Sequence, residues 1–161
     1  MKLCLSCGSG GHLSQILELM NAFEEHDIFF VLVKSPITKN LSNIGRIKYI
    51  HEPMKTIKVW IFNFEMVQLL FYYISLIIPC FFIFIQERPD VIICHGGEAS
   101  LLLSYFGKML GKKVVYIETV ERISSLSGTG KLLYAIADLF LVQWESLQIK
   151  YPKSKYWGRI L

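Results

Sequence analysis

A chain of 161 residues that is 53% hydrophobic and only 19% charged has room for one domain with a sizeable core, and carries more apolar surface than a soluble domain of that size needs. Its formal net charge is +4 with no run of five or six basic residues, which argues against a dedicated nucleic-acid binder and leaves a mild pull toward anionic lipid or phosphate. Cys4, Cys7, Cys80 and Cys94 sit in apolar runs, and the N-terminus lacks the charged, apolar, small-residue order of a secretory signal; a reduced, cytosolic setting is expected.

In chain order, Lys2–Cys7 (KLCLSC) reads as a short strand that stops at Gly8. A helix over His12–Phe23 follows, with Leu13, Ile16, Leu17, Met20 and Phe23 at helical spacing. Ile28–Val33 (IFFVLV) has the continuous apolar character of a strand buried on both faces. Arg46–His51 is a weaker strand, ended by Pro53. Met66–Ile85 carries no charge, and about 20 such residues suffice to span a bilayer. A full crossing would separate the strands before Glu65 from those after Asp90, so no single sheet could form. The expectation is therefore a membrane-associating segment over about 58–87, its helix lying in one leaflet and bent at Pro79. The alternative is a buried core helix.

Val91–His95 (VIICH) is a further buried strand running into Gly96 and Gly97, followed by a helix over Ala99–Leu110 closed by Gly111. Val114–Ile117 reads as strand, Gly130–Ala137 as helix, Leu139–Val142 as strand, and Trp157–Leu161 as a small strand-like piece. Strands alternating with helices argue an α/β fold with a mostly parallel sheet, in one domain over residues 1–161.

Cys4-Leu5-Ser6-Cys7 has the spacing of half a zinc site, but no second such pair exists, and positions i and i+3 of a strand point to opposite faces. No metal and no cofactor are expected. Gly8-Ser9-Gly10-Gly11-His12-Leu13 lacks the third glycine of a dinucleotide fingerprint. As a strand-to-helix turn it still has the physics of an anion site, because glycines let the backbone approach and the free amides of the helix start point at the ligand. Ser127-Gly128-Thr129-Gly130-Lys131 imitates a P-loop but fails at Ser125 and at Leu132; it reads as a helix-starting loop with Lys131 free to meet a phosphate. His95-Gly96-Gly97-Glu98 lies at the carboxyl end of a strand, where open α/β sheets bind ligands. The two glycine turns would share that edge and could hold a diphosphate. Glu118-Thr119-Val120-Glu121-Arg122 follows a third strand on the same edge, either as an exposed salt-bridged loop or as a group that binds sugar hydroxyls or a phosphate oxygen.

Together, "SCGSGGHLSQILEL", the run from Arg88 to Leu161, the Gly111–Arg122 stretch and the block "ADLFLVQWE" resemble the polysaccharide-biosynthesis and asparagine-linked-glycosylation proteins. These form the membrane-anchoring half of a split GT-B glycosyltransferase. The resemblance covers nearly the whole chain and is least informative between Pro36 and Glu87. It implies a Rossmann-like domain, the N-terminal half of a GT-B enzyme, that meets a polyprenyl-diphosphate sugar acceptor while a separate polypeptide binds the nucleotide sugar. By the same resemblance Gly10, Gly11 and His12 fall on the acceptor turn, with His12 as general base on the acceptor hydroxyl, a task that suits imidazole. His95, Gly96 and Gly97 fall on the second turn, and Glu118 and Arg122 on the E-T-x-x-R match. His95 departs from relatives, which usually carry a small or polar residue there, and the internal apolar stretch is longer than in many.

The candidate residues are thus His12 for catalysis; Gly8, Ser9, Gly10, Gly11, His95, Gly96 and Gly97 for the acceptor diphosphate; and Glu98, Glu118 and Arg122 for acceptor or sugar contacts. The expected function is that of an acceptor-binding, membrane-associated glycosyltransferase subunit at the cytosolic face of the membrane. It would be active only with a donor-binding partner that brings the nucleotide sugar, and no nucleic acid is involved. A non-catalytic anchor that recruits the catalytic partner is the rival reading. A self-sufficient nucleotide-binding enzyme would need a fingerprint that the sequence lacks.

Overall fold

The computed structural model describes residues 1–39, 41, 44–51 and 64–160. The start of the expected membrane segment (58–63), Pro53 and Leu161 lie outside the described residues. Strands β1 (Lys2–Cys7), β2 (Asp27–Lys34), β3 (Arg46–His51), β4 (Val91–His95), β5 (Lys113–Ile117), β6 (Leu139–Val142) and β7 (Lys155–Tyr156) form one sheet in the order β3-β2-β1-β4-β5-β6-β7. Every pairing is parallel. The order reverses between β1 and β4, where Cys4 pairs with Ile92 and Cys7 with His95.

The continuous apolar runs of β1, β2 and β4 follow from this arrangement, because both faces of the sheet are covered. One core holds Cys4, Phe29, Ile92 and Cys94 beneath helices α2 (Phe64–Glu87) and α3 (Glu98–Met109). The other holds Leu3, Leu5, Cys7, Phe30 and Ile93 beneath α1 (Gly11–Glu18). Successive strand residues alternate between the two. Cys4 and Cys7 are accordingly in opposite cores, and burial pushes the Cys7 thiol up to about 12. All four cysteines are free and buried. A pair split by the sheet cannot grip one ion.

Four elements differ from the sequence expectation. The first helix ends at Glu18 and tightens into a 3-10 turn over Met20–Phe23. Helix α4 (Gly128–Leu133) stops short of Ala137, although it starts as the Ser127 loop suggested, with the Ser127 Oγ accepting from the Gly130 amide at 2.9 Å. Helix α5 (Glu145–Lys150) was not anticipated, since Leu147 is its one buried residue and leaves no period to read. The last strand is Lys155–Tyr156 rather than Trp157–Leu161. Trp157 is exposed, and Ile160 packs back on the second core.

Helix α2 runs unbroken through Pro79. Leu76, Cys80, Ile83 and Phe84 dock it on the sheet at helical spacing, whereas Leu70, Phe71, Ile74, Ile78, Phe81, Phe82 and Ile85 are exposed. Only 28% of its Leu70–Glu87 window is buried, which rules out a helix covered on every side. Its last residue, Glu87, is buried and clamps it to the sheet through Lys2 Nζ at 2.6 Å and Lys48 Nζ at 3.0 Å, with Arg46 at 3.7 Å. The hydrogen bond from Lys2, then that from Lys48 and the charge of Arg46, hold the Glu87 carboxyl below the usual carboxylate value against its own burial.

Candidate active site at the sheet switch point

After β1 the chain turns to α1 on one face, and after β4 it turns to α3 on the other, so the carboxyl ends of these neighbours frame a crevice. The two glycine turns meet there. The Gly8 amide donates to the His95 carbonyl at 3.4 Å. A Cβ on Gly97 would stand 3.1 Å from the Gly8 nitrogen.

The His12 imidazole fills the gap between the turns. A Cβ on Gly8 would come within 2.9 Å of its Cδ2, and one on Gly96 within 2.9 Å of its Cε1. Gly96 also has φ +68, in the left-handed region, so glycine is required there on both counts. The pairing of β1 with β4 thus brings Gly8, Gly96, Gly97 and His12 together. Gly10, with φ 74, caps α1 without a side-chain bond, and the amides at the start of that helix have no partner within it. Ser9 and Gly11 are exposed beside them.

His95 is fully buried beneath this turn. Its Nδ1 lies 2.8 Å from the Ile117 carbonyl oxygen, and its ring meets that of His12 edge to face, with centroids 5.0 Å apart at 80°. Burial drives its pKa down to about 4, only partly offset by the Ile117 bond. The floor is pinned by Ser100 Oγ, which donates to the Gly96 carbonyl at 2.7 Å and lies 3.0 Å from Ser6 Oγ.

The third wall is the loop after β5. Glu118 is fully buried. Its carboxylate accepts from the Thr119 amide at 3.1 Å, the Ser127 amide at 2.9 Å and the Ser127 hydroxyl at 3.2 Å. It holds the loop to the start of α4 and lies against Gly130, where no side chain would fit. Arg122 is exposed on this loop. Glu98 opens α3 and accepts from the Tyr72 hydroxyl of α2, which links this edge of the sheet to the apolar helix.

Several residues of the site were not singled out from sequence. Gln15 Oε1 accepts from the Val120 amide at 3.2 Å and from Gln143 Nε2 at 2.6 Å, and Gln143 also donates to the Glu118 carbonyl at 3.0 Å. Trp144 Nε1 donates to the Val120 carbonyl at 2.6 Å, and Arg159 stacks over the Trp144 ring at 3.7 Å. The signal available was the polar pair Gln143-Trp144 directly after an apolar strand. Glu121, one of the charged group read from sequence, leans over Gly11, its Oε1 3.5 Å from where a Cβ would stand.

The family model for "Oligosaccharide biosynthesis protein Alg14 like" matches residues 3–160. The chain belongs to this family. Among curated Alg14 proteins, the UDP-N-acetylglucosamine transferase subunit of Schizosaccharomyces pombe is 30% identical over 94% of this chain and 79% of its own length. The mouse subunit is 28% identical over 100% and 83%. The fold is shared with Acinetobacter baumannii MurG, at TM-score 0.62 and 16% identity over 88% of this chain. It is also shared with the UDP-N-acetylglucosamine 2-epimerase of Rickettsia bellii, at 0.67 and 15% over 99%. This Alg14-like chain spans 41% and 45% of those two structures, and has the Rossmann-like architecture of GT-B proteins.

Proposed function

We propose that the chain is the acceptor-binding, membrane-associated subunit of a two-subunit glycosyltransferase. It works at the cytosolic membrane surface on a polyprenyl-diphosphate-linked saccharide. A separate donor-binding subunit brings the nucleotide sugar, UDP-N-acetylglucosamine by the names of the relatives. The observation that carries the reading is the His12 ring seated between two glycine turns at the switch point of the sheet.

In this reading the acceptor diphosphate meets the amides of Ser9, Gly10 and Gly11. His12 takes the proton of the acceptor hydroxyl as its oxygen bonds to the anomeric carbon, and the bond from that carbon to the nucleotide diphosphate breaks with its electron pair on the leaving group. Glu118 positions the loop from within, and Glu121 and Arg122 face the acceptor sugar. The Glu121 carboxylate next to Gly11 opposes an anion there, so the diphosphate enters as Glu121 turns toward a sugar hydroxyl. The exposed face of α2 rests in one leaflet, because strands before and after α2 belong to one sheet.

Co-purification with its donor-binding partner in detergent, followed by assay with nucleotide sugars on a polyprenyl-diphosphate acceptor, tests the reading. Transfer by the pair, with neither chain sufficient alone, is expected. Transfer by the partner alone at an equal rate on soluble acceptor would favour the anchor reading.

A further inference from the structure

Among the described residues, two ring nitrogens in the crevice are buried without a hydrogen-bond partner, Nδ1 of His12 and Nε2 of His95. They belong to rings in direct edge-to-face contact. The Ile117 carbonyl can only accept, so His95 Nδ1 at 2.8 Å from it carries the hydrogen. In the neutral ring that leaves Nε2 with a lone pair, and burial keeps the ring neutral at physiological pH. A buried acceptor of this kind is costly unless a donor meets it. The buried nitrogen of the touching ring is the complementary group once it carries a hydrogen.

We infer that His95 is a positioning residue whose Nε2 accepts the Nδ1 hydrogen of His12, through one water or after a small rotation of the ring. His12 is thereby fixed in the tautomer whose Nε2 lone pair is free. This deepens the proposed function, since it rests on His12 being the base. It assigns to a neutral histidine the orienting task that a carboxylate performs in other base-orienter pairs. The Ile117 bond ties that orientation to the end of β5, whose loop forms the third wall. A neutral orienter also suits an anion site, because it adds no negative charge beside the diphosphate.

The test is long-range nitrogen-proton correlation spectroscopy on the full chain labelled at histidine, in detergent, comparing wild type with His95→Asn and His95→Gln. Wild-type His12 is expected in the Nδ1-protonated tautomer. Asparagine can still donate to Ile117 while removing the acceptor, so His95→Asn is expected to shift His12 toward the Nε2-protonated form. With the donor-binding partner, kcat is expected to fall about tenfold or more at unchanged KM. His95→Gln, which reaches as far as the lost nitrogen, is expected to recover part of both signals. A wild-type His12 protonated at Nε2, or a His12 spectrum indifferent to folded His95→Asn, would overturn the inference. A tautomer shift with full activity would uphold the pairing and remove His12 from the role of base.

Discussion

Each residue of the site owes its role to what surrounds it. Gly96→Ala would place a methyl group 2.9 Å from His12 Cε1 at φ +68, and left-handed backbone alone costs a residue with a Cβ about 1–2 kcal/mol. The variant is expected to melt several degrees lower and to lose activity through a displaced His12, as thermal denaturation and turnover with the partner will register. Glu118→Gln keeps the shape of the side chain but turns an amide group toward the Thr119 or Ser127 donors. The expected loss is about 1–3 kcal/mol for the donor left unpaired, read by denaturant unfolding, with faster proteolysis between residues 119 and 130. At Glu121 the opposite sign is expected. Glu121→Gln removes the charge over Gly11 and should tighten pyrophosphate binding severalfold in calorimetry; weaker binding would show that the carboxylate serves the anion rather than opposing it.

At the scale of elements, α2 has two separable attachments. Its exposed face gives the membrane reading a measurable size. Fully burying an aromatic or branched aliphatic side chain is worth about 1.5–3 kcal/mol. Changing Phe71, Ile78 and Phe82 to Asn together should therefore weaken vesicle flotation by at least a hundredfold while the fold survives. Its Glu87 clamp gives a pH signature. The folded pKa lies below the unfolded one, so the clamp contributes its full stability above the unfolded value and loses it as pH falls through the folded value. The melting-temperature gap between wild type and Glu87→Gln should be constant near neutrality and close in acid; a gap that widens in acid would contradict the assignment. The elements legible in the sequence were those with strong patterns. The strands β1, β2 and β4 announced themselves by unbroken apolar runs, and α3 by its glycine stop. α5 and the end of α4 did not, because six-residue helices held by a capping serine or by a single buried leucine carry no period.

For the whole molecule, the topology makes a site from residues far apart in sequence. The reversal of strand order between β1 and β4 puts His12 against His95 and Gly96, and the next strand brings Glu118. That two glycine turns end neighbouring strands on one edge was legible from the local pattern, and His12 was singled out through the family resemblance. The buried seat of His95, the inward turn of Glu118 and the Gln15–Gln143 tie were not. They depend on contacts spanning up to 128 positions, which no local pattern encodes. The same topology sets the apolar face of α2 and the crevice on one molecule, joined where Tyr72 meets Glu98, an arrangement that fits the proposed lipid-linked acceptor. The most direct measurement of the central claim is sugar transfer by His12→Ala, paired with its donor-binding subunit on vesicles that carry a polyprenyl-diphosphate acceptor. Turnover should fall by about 10²–10⁴-fold while vesicle binding is retained; undiminished turnover would contradict a catalytic role for this chain and leave it an anchor.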